Sequence, residues 1–247
     1  MIAERGKLQF LFLILFIFPL AAQTSSSTSD GYIRDWQNDG DHVLYSTENG
    51  IITSVMTADE EKLVLRKYDD SHRLTSETVW NSGYEEIASE TTWIYPEKGV
   101  YPLSMTKKIP SQNQLVKVTY STAGLETERV TWLLNADDAD EAEEKLLSKT
   151  MWTYDSQNRV LSKINESYGN GTDSEKTEYS YTDKASAPDM MYYENDVLVE
   201  SVVRISDSSY VESLFFEDME IKSTWEDGVK TDEVYYLEGK ELKRKTL

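Results

Sequence analysis

The stretch WTYDSQNRVLSKI (Trp152–Ile164) places an aromatic residue, a polar turn and an alternating apolar-polar segment in direct succession. The same order occurs earlier in RKYDDSHRLTSETVW (Arg66–Trp80). Further copies of the unit, some of them looser, begin at Tyr45, Tyr95, Tyr120, Tyr181, Tyr193, Phe216 and Tyr236. Tandem copies of a short unit are typical of architectures in which each unit packs against its neighbours. The sequence therefore predicts a fold built from repeats.

The fourth residue after the aromatic indicates how the units turn. In the first five copies this position holds Asn49, His72, Gly99, Gly124 and Asn158. Glycine adopts positive φ freely, and Asn and His are enriched there among other residues. A hairpin loop built on a type I turn needs such a left-handed residue before it closes with a bulge. We expect this loop in the five copies. In later copies the glycine stands three residues after the aromatic, as Gly239 does, or the fourth position holds another residue, as Val197 does.

The segments on either side of these turns have the period of two that half-buried β-strands show. Apolar residues stand two positions before most of the aromatics, namely Val43, Trp93, Val118, Trp152, Tyr179, Met191, Leu214 and Val234. After the turn at Tyr193, one face carries Val197, Val199, Val203 and Ile205, and the other carries Glu200 and Arg204. The predicted fold is all-β, with tandem antiparallel β-hairpin repeats forming an extended, coiled or barrel-like meander sheet over residues 31–247.

The N-terminal residues predict export. Arg5 and Lys7 precede the apolar run Leu8–Phe18, and small residues follow it up to Ala22. This run is shorter than the roughly 20 apolar residues of a membrane-spanning helix, which favours a cleaved signal peptide over residues 1–22. An uncleaved anchor is the alternative. A Ser/Thr-rich linker over residues 23–30 follows, and no later segment is apolar enough to span a membrane after signal cleavage.

Composition narrows the compartment and the partners. The chain has no cysteine, which excludes disulfides and thiolate metal sites and fits a bacterial periplasm or cell surface better than a eukaryotic secretory route. It carries 45 acidic and 25 basic residues, a net charge of −20. Such a charge repels phosphate backbones, so nucleic-acid binding is not expected. An acidic insertion near residues 135–147 is predicted to be a solvated loop or a short helical turn.

The sequence offers few residues that could perform chemistry. The acidic run Asp137–Glu144 lacks the ligand spacing of an EF-hand loop, so only weak divalent-cation binding is kept open. The two histidines, His42 and His72, match no metal or catalytic motif, and His72 is explained by its turn position. No catalytic, cofactor-binding or metal residue and no cofactor is predicted. Trp36 and Trp80 stand outside the repeat offset and are the better aromatic ligand candidates.

Two of the units resemble a known repeat family. Tyr68-Asp69-x-x-His72-Arg73-Leu74 and Tyr154-Asp155-x-x-Asn158-Arg159-Val160 are similar to YD repeats of the rearrangement-hotspot type, which have Gly in place of His72 and Asn158. The segments YYENDVLVES (192–201) and YYLEGKELKRK (235–245) are more similar to MORN-like repeats of bacterial exported proteins. The resemblance implies stacked β-hairpins and a bacterial origin, and it transfers no catalytic residue.

These observations together favour a non-enzymatic exported β-repeat protein that acts as a binding or scaffolding module in the bacterial cell envelope. The expected partner is an unidentified protein or glycan of the envelope. Beside a calcium-responsive adhesin, two alternatives remain open at this point. One is an outer-membrane β-barrel, although charges on both strand faces disfavour it. The other is a glycan-active enzyme that uses paired carboxylates, which an acidic sequence alone does not exclude.

Overall fold

The computed structural model describes residues 32–36, 42–48, 51–58, 61–81, 83, 85–134, 144–169 and 171–247. The regular elements in these ranges are β-strands, apart from one 3-10 turn at Pro110–Gln112. The chain divides into two compact units. Of the described residues, unit 1 comprises those from Tyr32 to Val100 and Met105–Asn113, and unit 2 comprises Tyr101–Ser104 and those from Gln114 to Leu247.

Unit 1 is an antiparallel meander in which each strand pairs with the next one along the chain. Its strands are β1 (Tyr32–Trp36), β2 (His42–Glu48), β3 (Ile51–Ala58), β4 (Leu63–Tyr68), β5 (Leu74–Trp80), β6 (Ile87–Ile94) and β7 (Ser104–Ile109). The residues of β7 after Ser104 belong to this unit. These strands are rich in β-branched and aromatic residues, which suits a pleated sheet surface.

Unit 2 continues the same pattern with longer strands, again paired antiparallel in chain order. They are β8 (Gln114–Tyr120), β9 (Glu126–Leu134), β10 (Glu144–Tyr154), β11 (Val160–Tyr168), β12 (Thr172–Ser180), β13 (Asp189–Glu194), β14 (Val197–Arg204), β15 (Ser209–Phe216), β16 (Met219–Glu226), β17 (Val229–Leu237) and β18 (Lys240–Thr246). The expected all-β meander is confirmed. As far as the described strands go, neither unit closes into the barrel-like alternative.

The long hairpin turns have the predicted left-handed residue. His72, Gly124 and Asn158 have φ values of 60°, 80° and 64°. In each case the strand register shifts at the aromatic that precedes the turn, which is the expected bulge. Gly124 has a second reason to be glycine, because a Cβ there would clash with the Tyr101 ring. Three of the five predicted turns are therefore confirmed residue by residue.

The other two predicted turns have different outcomes. Tyr45 lies in the β2–β3 hairpin, but Asn49 lies outside the described residues. Tyr95 begins a longer connection to β7, and Gly99 within it has a φ of 155°. The predicted short turn is wrong at this copy. A Cβ on Gly99 would lie 2.8 Å from the Pro96 ring, so close packing of the loop also requires glycine here.

The Tyr-Asp motif holds its turn through the aspartate. Asp155 Oδ1 accepts hydrogen bonds from the backbone N–H groups of Gln157 (2.8 Å) and Arg159 (2.9 Å), and Oδ2 accepts one from Arg159 Nε at 2.7 Å. Asp69 makes the same three contacts in the β4–β5 turn, with distances of 2.9, 2.9 and 2.7 Å. Aspartate side chains favour turns because they satisfy backbone donors two and four residues ahead. The two copies of the motif thus fold identically.

The later hairpins use a tighter turn that the sequence analysis did not identify. β13 and β14 are joined by Asn195 and Asp196, with φ values of 49° and 64°. Asp227-Gly228 joins β16 and β17, and Glu238-Gly239 joins β17 and β18, also with positive φ at both residues. Two consecutive positive φ values define the type I′ turn, whose twist matches that of antiparallel strands. The Asp-Gly pair at 227–228 is one of the sequences preferred in type I′ turns.

Burial is sparse and follows the predicted apolar pattern only in part. In the described residues the buried apolar side chains are Ala58, Leu63, Val64, Leu115, Val118, Val202 and Val234. Val118 and Val234, two of the apolar residues that precede an aromatic by two positions, are only 1% and 5% exposed. In β14 the prediction is wrong: Val203 on the predicted apolar face is 46% exposed, and Val202 on the opposite face is 8% exposed. Alternation alone identified the two faces but could not show which one the fold covers.

Several expectations fall on residues without a description. The signal peptide (1–22), the linker (23–30) and residues 135–143 of the acidic insertion lie outside the described residues. The end of that insertion, Glu144–Leu147, lies in β10, so a loop or helical turn is wrong for these four residues. Leu146 pairs with Trp132 of β9 just before a shift in strand register. Among the described residues there is no helix with the length and apolar content needed to cross a membrane.

Candidate ligand-binding cavity

Of the residues singled out from the sequence, His72 and Trp80 are described, and they do not come together into a site. His72 is an exposed turn residue, and Trp80 ends β5 in a half-buried position opposite Leu63. The side chains of Trp36 and His42 lie outside the described part of the structure. Within that part, no group of three or more His, Asp or Glu side chains is placed to hold a metal ion.

Most aromatic rings with described contacts are packed against cations rather than open to a ligand. Across β14–β17, the Arg204 guanidinium lies 4.6 Å from the centre of the Tyr210 ring, which stacks on Trp225 at 5.9 Å. The Lys230 ammonium lies 5.3 Å from the centre of the Trp225 ring. Such cation–π contacts contribute to sheet stability at directly opposed positions. The faces of these rings are occupied, so this ladder serves packing better than sugar stacking.

The turn arginines link one repeat to the next in the same way. Arg73 lies 4.8 Å from the centre of the Tyr95 ring, and Arg159 lies 4.1 Å from that of Tyr181. Arg73 Nη1 also donates hydrogen bonds to the carbonyl oxygens of Pro96 (2.9 Å) and Gly99 (2.8 Å). The arginine of each Tyr-Asp motif thus closes its own turn and packs on the aromatic residue of the following unit.

A cavity lies over the four strands β10–β13 of unit 2. Its volume is about 360 Å³, and it is lined by Thr153, Leu161, Ser162, Glu178, Tyr179, Ser180, Asp189, Met190 and Met191. Thr153, Ser162, Glu178 and Met191 are directly opposite one another across the four strands. The small Thr153 and Ser162 side chains share a hydrogen bond of 2.8 Å between their hydroxyl oxygens. The short side chains at one end of this row leave space beside the larger Glu178 and Met191 side chains.

Two carboxylates line this cavity, and they are in different environments. Glu178 Oε1 accepts a hydrogen bond from Lys176 Nζ at 2.6 Å, and Oε2 accepts one from the Tyr193 hydroxyl at 3.3 Å. The contact with Lys176 lowers the pKa of Glu178 in spite of its partial burial. Asp189 Oδ1 accepts a hydrogen bond from the backbone N–H of Arg204 at 2.5 Å. Among the described residues, no basic side chain forms an ion pair with Asp189.

This arrangement limits the chemistry that the cavity can perform. A carboxyl that donates a proton in glycoside hydrolysis needs a raised pKa, whereas the pKa of Glu178 is lowered. The hydroxyl groups and Asp189 are instead suited to hold a polar, positively charged ligand. Sequence reasoning did not find this cavity, because its residues meet only through the strand register. No spacing along the chain brings Thr153, Ser162 and Asp189 together.

Comparisons with known proteins give little beyond this geometry. The structure is similar to the crystal structure of TcdB2-TccC3 without its hypervariable C-terminal region, with a TM-score of 0.30 and 9% sequence identity. That similarity covers 79% of this chain and 15% of the other. No curated protein matches the sequence. Residues 21–233 match the model of a protein family described as "Uncharacterised protein", and the chain belongs to that family.

Proposed function

We propose that this protein is a non-enzymatic exported β-repeat protein that acts as a binding module in the bacterial cell envelope. The observation that carries the proposal is the cavity over β10–β13, because it combines an ionised carboxylate, hydroxyl groups and apolar side chains on one sheet. Export is supported by the N-terminal charges and the apolar run Leu8–Phe18. The partner is an envelope protein or glycan.

We further infer that the hairpins are degenerate copies of two related repeat types. Asp69 and Asp155 make the same three turn contacts, which supports a YD-type unit despite the replaced glycine. The two-residue turns at Asn195-Asp196 and Glu238-Gly239 support the MORN-like assignment of the later segments. A repeat of either type supplies a rigid surface and no catalytic group. This supports a role in binding over a role in catalysis.

Export and binding are tested in one expression experiment. The full chain with a C-terminal tag is produced in a bacterium, and the osmotic-shock fraction is examined for a mature form that begins at Gln23. A photo-crosslinking amino acid is placed at Leu161, a cavity residue, and as a matched control at Phe216, which is exposed on β15 and does not line the cavity. We expect an envelope adduct from Leu161 and none from Phe216.

Two results would contradict the proposal. One is a chain that stays in the cytoplasm with residues 1–22 attached. The other is an adduct that forms equally from both positions, since the cavity would then have no special role. A result of either kind concerns export or partner binding and does not depend on which ligand the cavity prefers.

One observation keeps a glycan-active enzyme as the second candidate: Glu178 and Asp189 line the same cavity. Paired carboxylates on a sheet surface are the minimum that glycoside hydrolysis requires. The test is release of reducing ends from envelope glycans by the purified chain. Activity that is lost in both Glu178→Gln and Asp189→Asn would support the enzyme over the binding module.

A further inference from the structure

We infer that the cavity over β10–β13 binds a primary alkylammonium group through Asp189. This inference rests on the proposed binding function and names the chemistry of its ligand. It is argued from charge, from the hydrogen-bonding capacity that the cavity leaves open, and from its apolar lining.

The charge of the cavity favours a cation. Its lining contains Glu178 and Asp189 and no Lys, Arg or His side chain. Glu178 is matched by Lys176, whereas Asp189 has no ion-pair partner in the described part of the chain. The chain as a whole carries a net charge of −20, which attracts cations and repels anions. A phosphate, sulfate or carboxylate ligand would therefore be repelled by the carboxylates of the cavity and by the net charge of the chain.

The free acceptors select an ammonium group over a guanidinium group. Asp189 Oδ1 is engaged by the Arg204 backbone N–H, which leaves Oδ2 as the open carboxylate oxygen. A guanidinium group pairs best with both oxygens of a carboxylate at once. An ammonium group is a compact charge with three donors, which suits one carboxylate oxygen and the nearby hydroxyl oxygens. Ser180, which lies directly opposite Asp189 in the β12–β13 pair and also lines the cavity, supplies such a hydroxyl.

The rest of the lining suits a short aliphatic stem. Leu161 and Met191 line the cavity, and Met191, on the same face of β13 as Asp189, is 43% exposed. Methionine is flexible and adapts its shape to apolar ligands. The cavity volume of about 360 Å³ is at the lower end of small-molecule sites, so it fits a single alkyl chain and its ammonium head. A free diamine and the side chain of a lysine residue share this chemistry.

The test is a titration of the purified full chain that carries ¹³C-methyl-labelled methionine. The probe is Nα-acetyl-lysine N-methylamide, and the control probe is the same molecule acetylated on Nε, which keeps the stem and removes the charge. We expect a saturable shift of the Met191 methyl signal, assigned with a Met191→Leu variant, for the first probe alone. A parallel titration with 1,5-diaminopentane distinguishes the sources, because tighter binding of the diamine identifies a free amine as the ligand.

Asp189→Asn removes the charge and keeps an oxygen that accepts the Arg204 N–H. We expect this variant to weaken binding of the lysine probe by about fivefold, the effect of losing one partly exposed ion pair. Asp173→Asn is the matched control: it makes the same change at an exposed position of β12 that does not line the cavity. Its affinity for the probe should be unchanged.

Three outcomes would overturn the inference. The first is equal binding of the Nε-acetylated probe, which would make the cavity merely apolar. The second is equal weakening by Asp189→Asn and Asp173→Asn, which would indicate a diffuse effect of net charge. The third is the absence of any methyl shift. None of these depends on export, so the inference and the proposed function fail separately.

Discussion

At the scale of single residues, the turns need a side chain that tolerates positive φ. The fold meets this need in two ways. His72 and Asn158 adopt left-handed backbone in the longer turns, at φ values of 60° and 64°. The energetic cost of this conformation is lower for Asn and His than for other residues with a Cβ. In the tight turns, Gly228 and Gly239 take the second positive-φ position, where no Cβ can be strained.

Asn158→Gly tests whether the left-handed backbone is a source of strain. Asn158 is exposed, so the substitution removes no buried contact. We expect glycine to leave the free energy of unfolding unchanged or to raise it by up to about 1 kcal/mol, since relief of strain offsets the greater freedom of the unfolded chain. Asn158→Ala is the control and should lower stability by about 1 kcal/mol. Urea unfolding measures both, and a clear loss of stability in the glycine variant would contradict the turn.

At the scale of elements, a tyrosine side chain connects its strand to the neighbouring strand by a hydrogen bond. The Tyr154 hydroxyl at the end of β10 donates a hydrogen bond of 2.7 Å to the carbonyl oxygen of Glu126 at the start of β9. Burial of the ring raises the pKa of this tyrosine, with a further contribution from the charge of Glu126. The ring is half-buried rather than part of a closed core.

Two substitutions at Tyr154 separate the hydrogen bond from the packing of the ring. Tyr154→Phe should lower the free energy of unfolding by about 1 kcal/mol, because the Glu126 carbonyl loses its side-chain donor. Tyr154→Ala should cost about 2 kcal/mol, below the 3–5 kcal/mol typical of a fully buried aromatic. Tyr181→Phe is the control and should be neutral. If Tyr154→Phe lowers the free energy of unfolding no more than Tyr181→Phe does, the hydrogen bond to Glu126 does not stabilise the fold.

The hairpins were predictable from the sequence, but the face of the sheet that becomes buried was not. The offset from Tyr154 to Asn158 identified a turn because backbone conformation is a local property of a few residues. The burial of Val202 in place of Val203 is set by packing, and alternation is the same for both faces. The cavity was out of reach for the same reason, since Ser162 and Asp189 meet only through two strand pairings.

At the scale of the whole molecule, an excess of acidic groups is balanced only in part by local ion pairs. Glu233 contacts Lys230 at 2.9 Å and Lys245 at 3.3 Å, and the Tyr235 hydroxyl also donates to it. The hydrogen bond from Lys230, followed by that from Tyr235, lowers the pKa of Glu233 to about 2. In the described part of the chain many other carboxylates form no ion pair, and the net charge of −20 makes acidic groups repel one another at neutral pH.

These two groups of carboxylates predict a stability that passes through a maximum as pH falls. From pH 7 towards the isoelectric point near 4.5, protonation of unpaired carboxylates reduces repulsion, so the melting temperature should rise. Glu233 has a folded pKa of about 2, below its ordinary value of 4.5, so its contribution is complete above pH 4.5 and is lost as pH falls towards 2. Circular dichroism melting curves from pH 7 to 2 measure both parts. The Glu233→Gln variant has no titratable group at this position, so its melting temperature should fall less steeply below pH 4.5 than that of the wild-type protein. A parallel fall of the two melting temperatures would contradict the stabilising role given to Glu233.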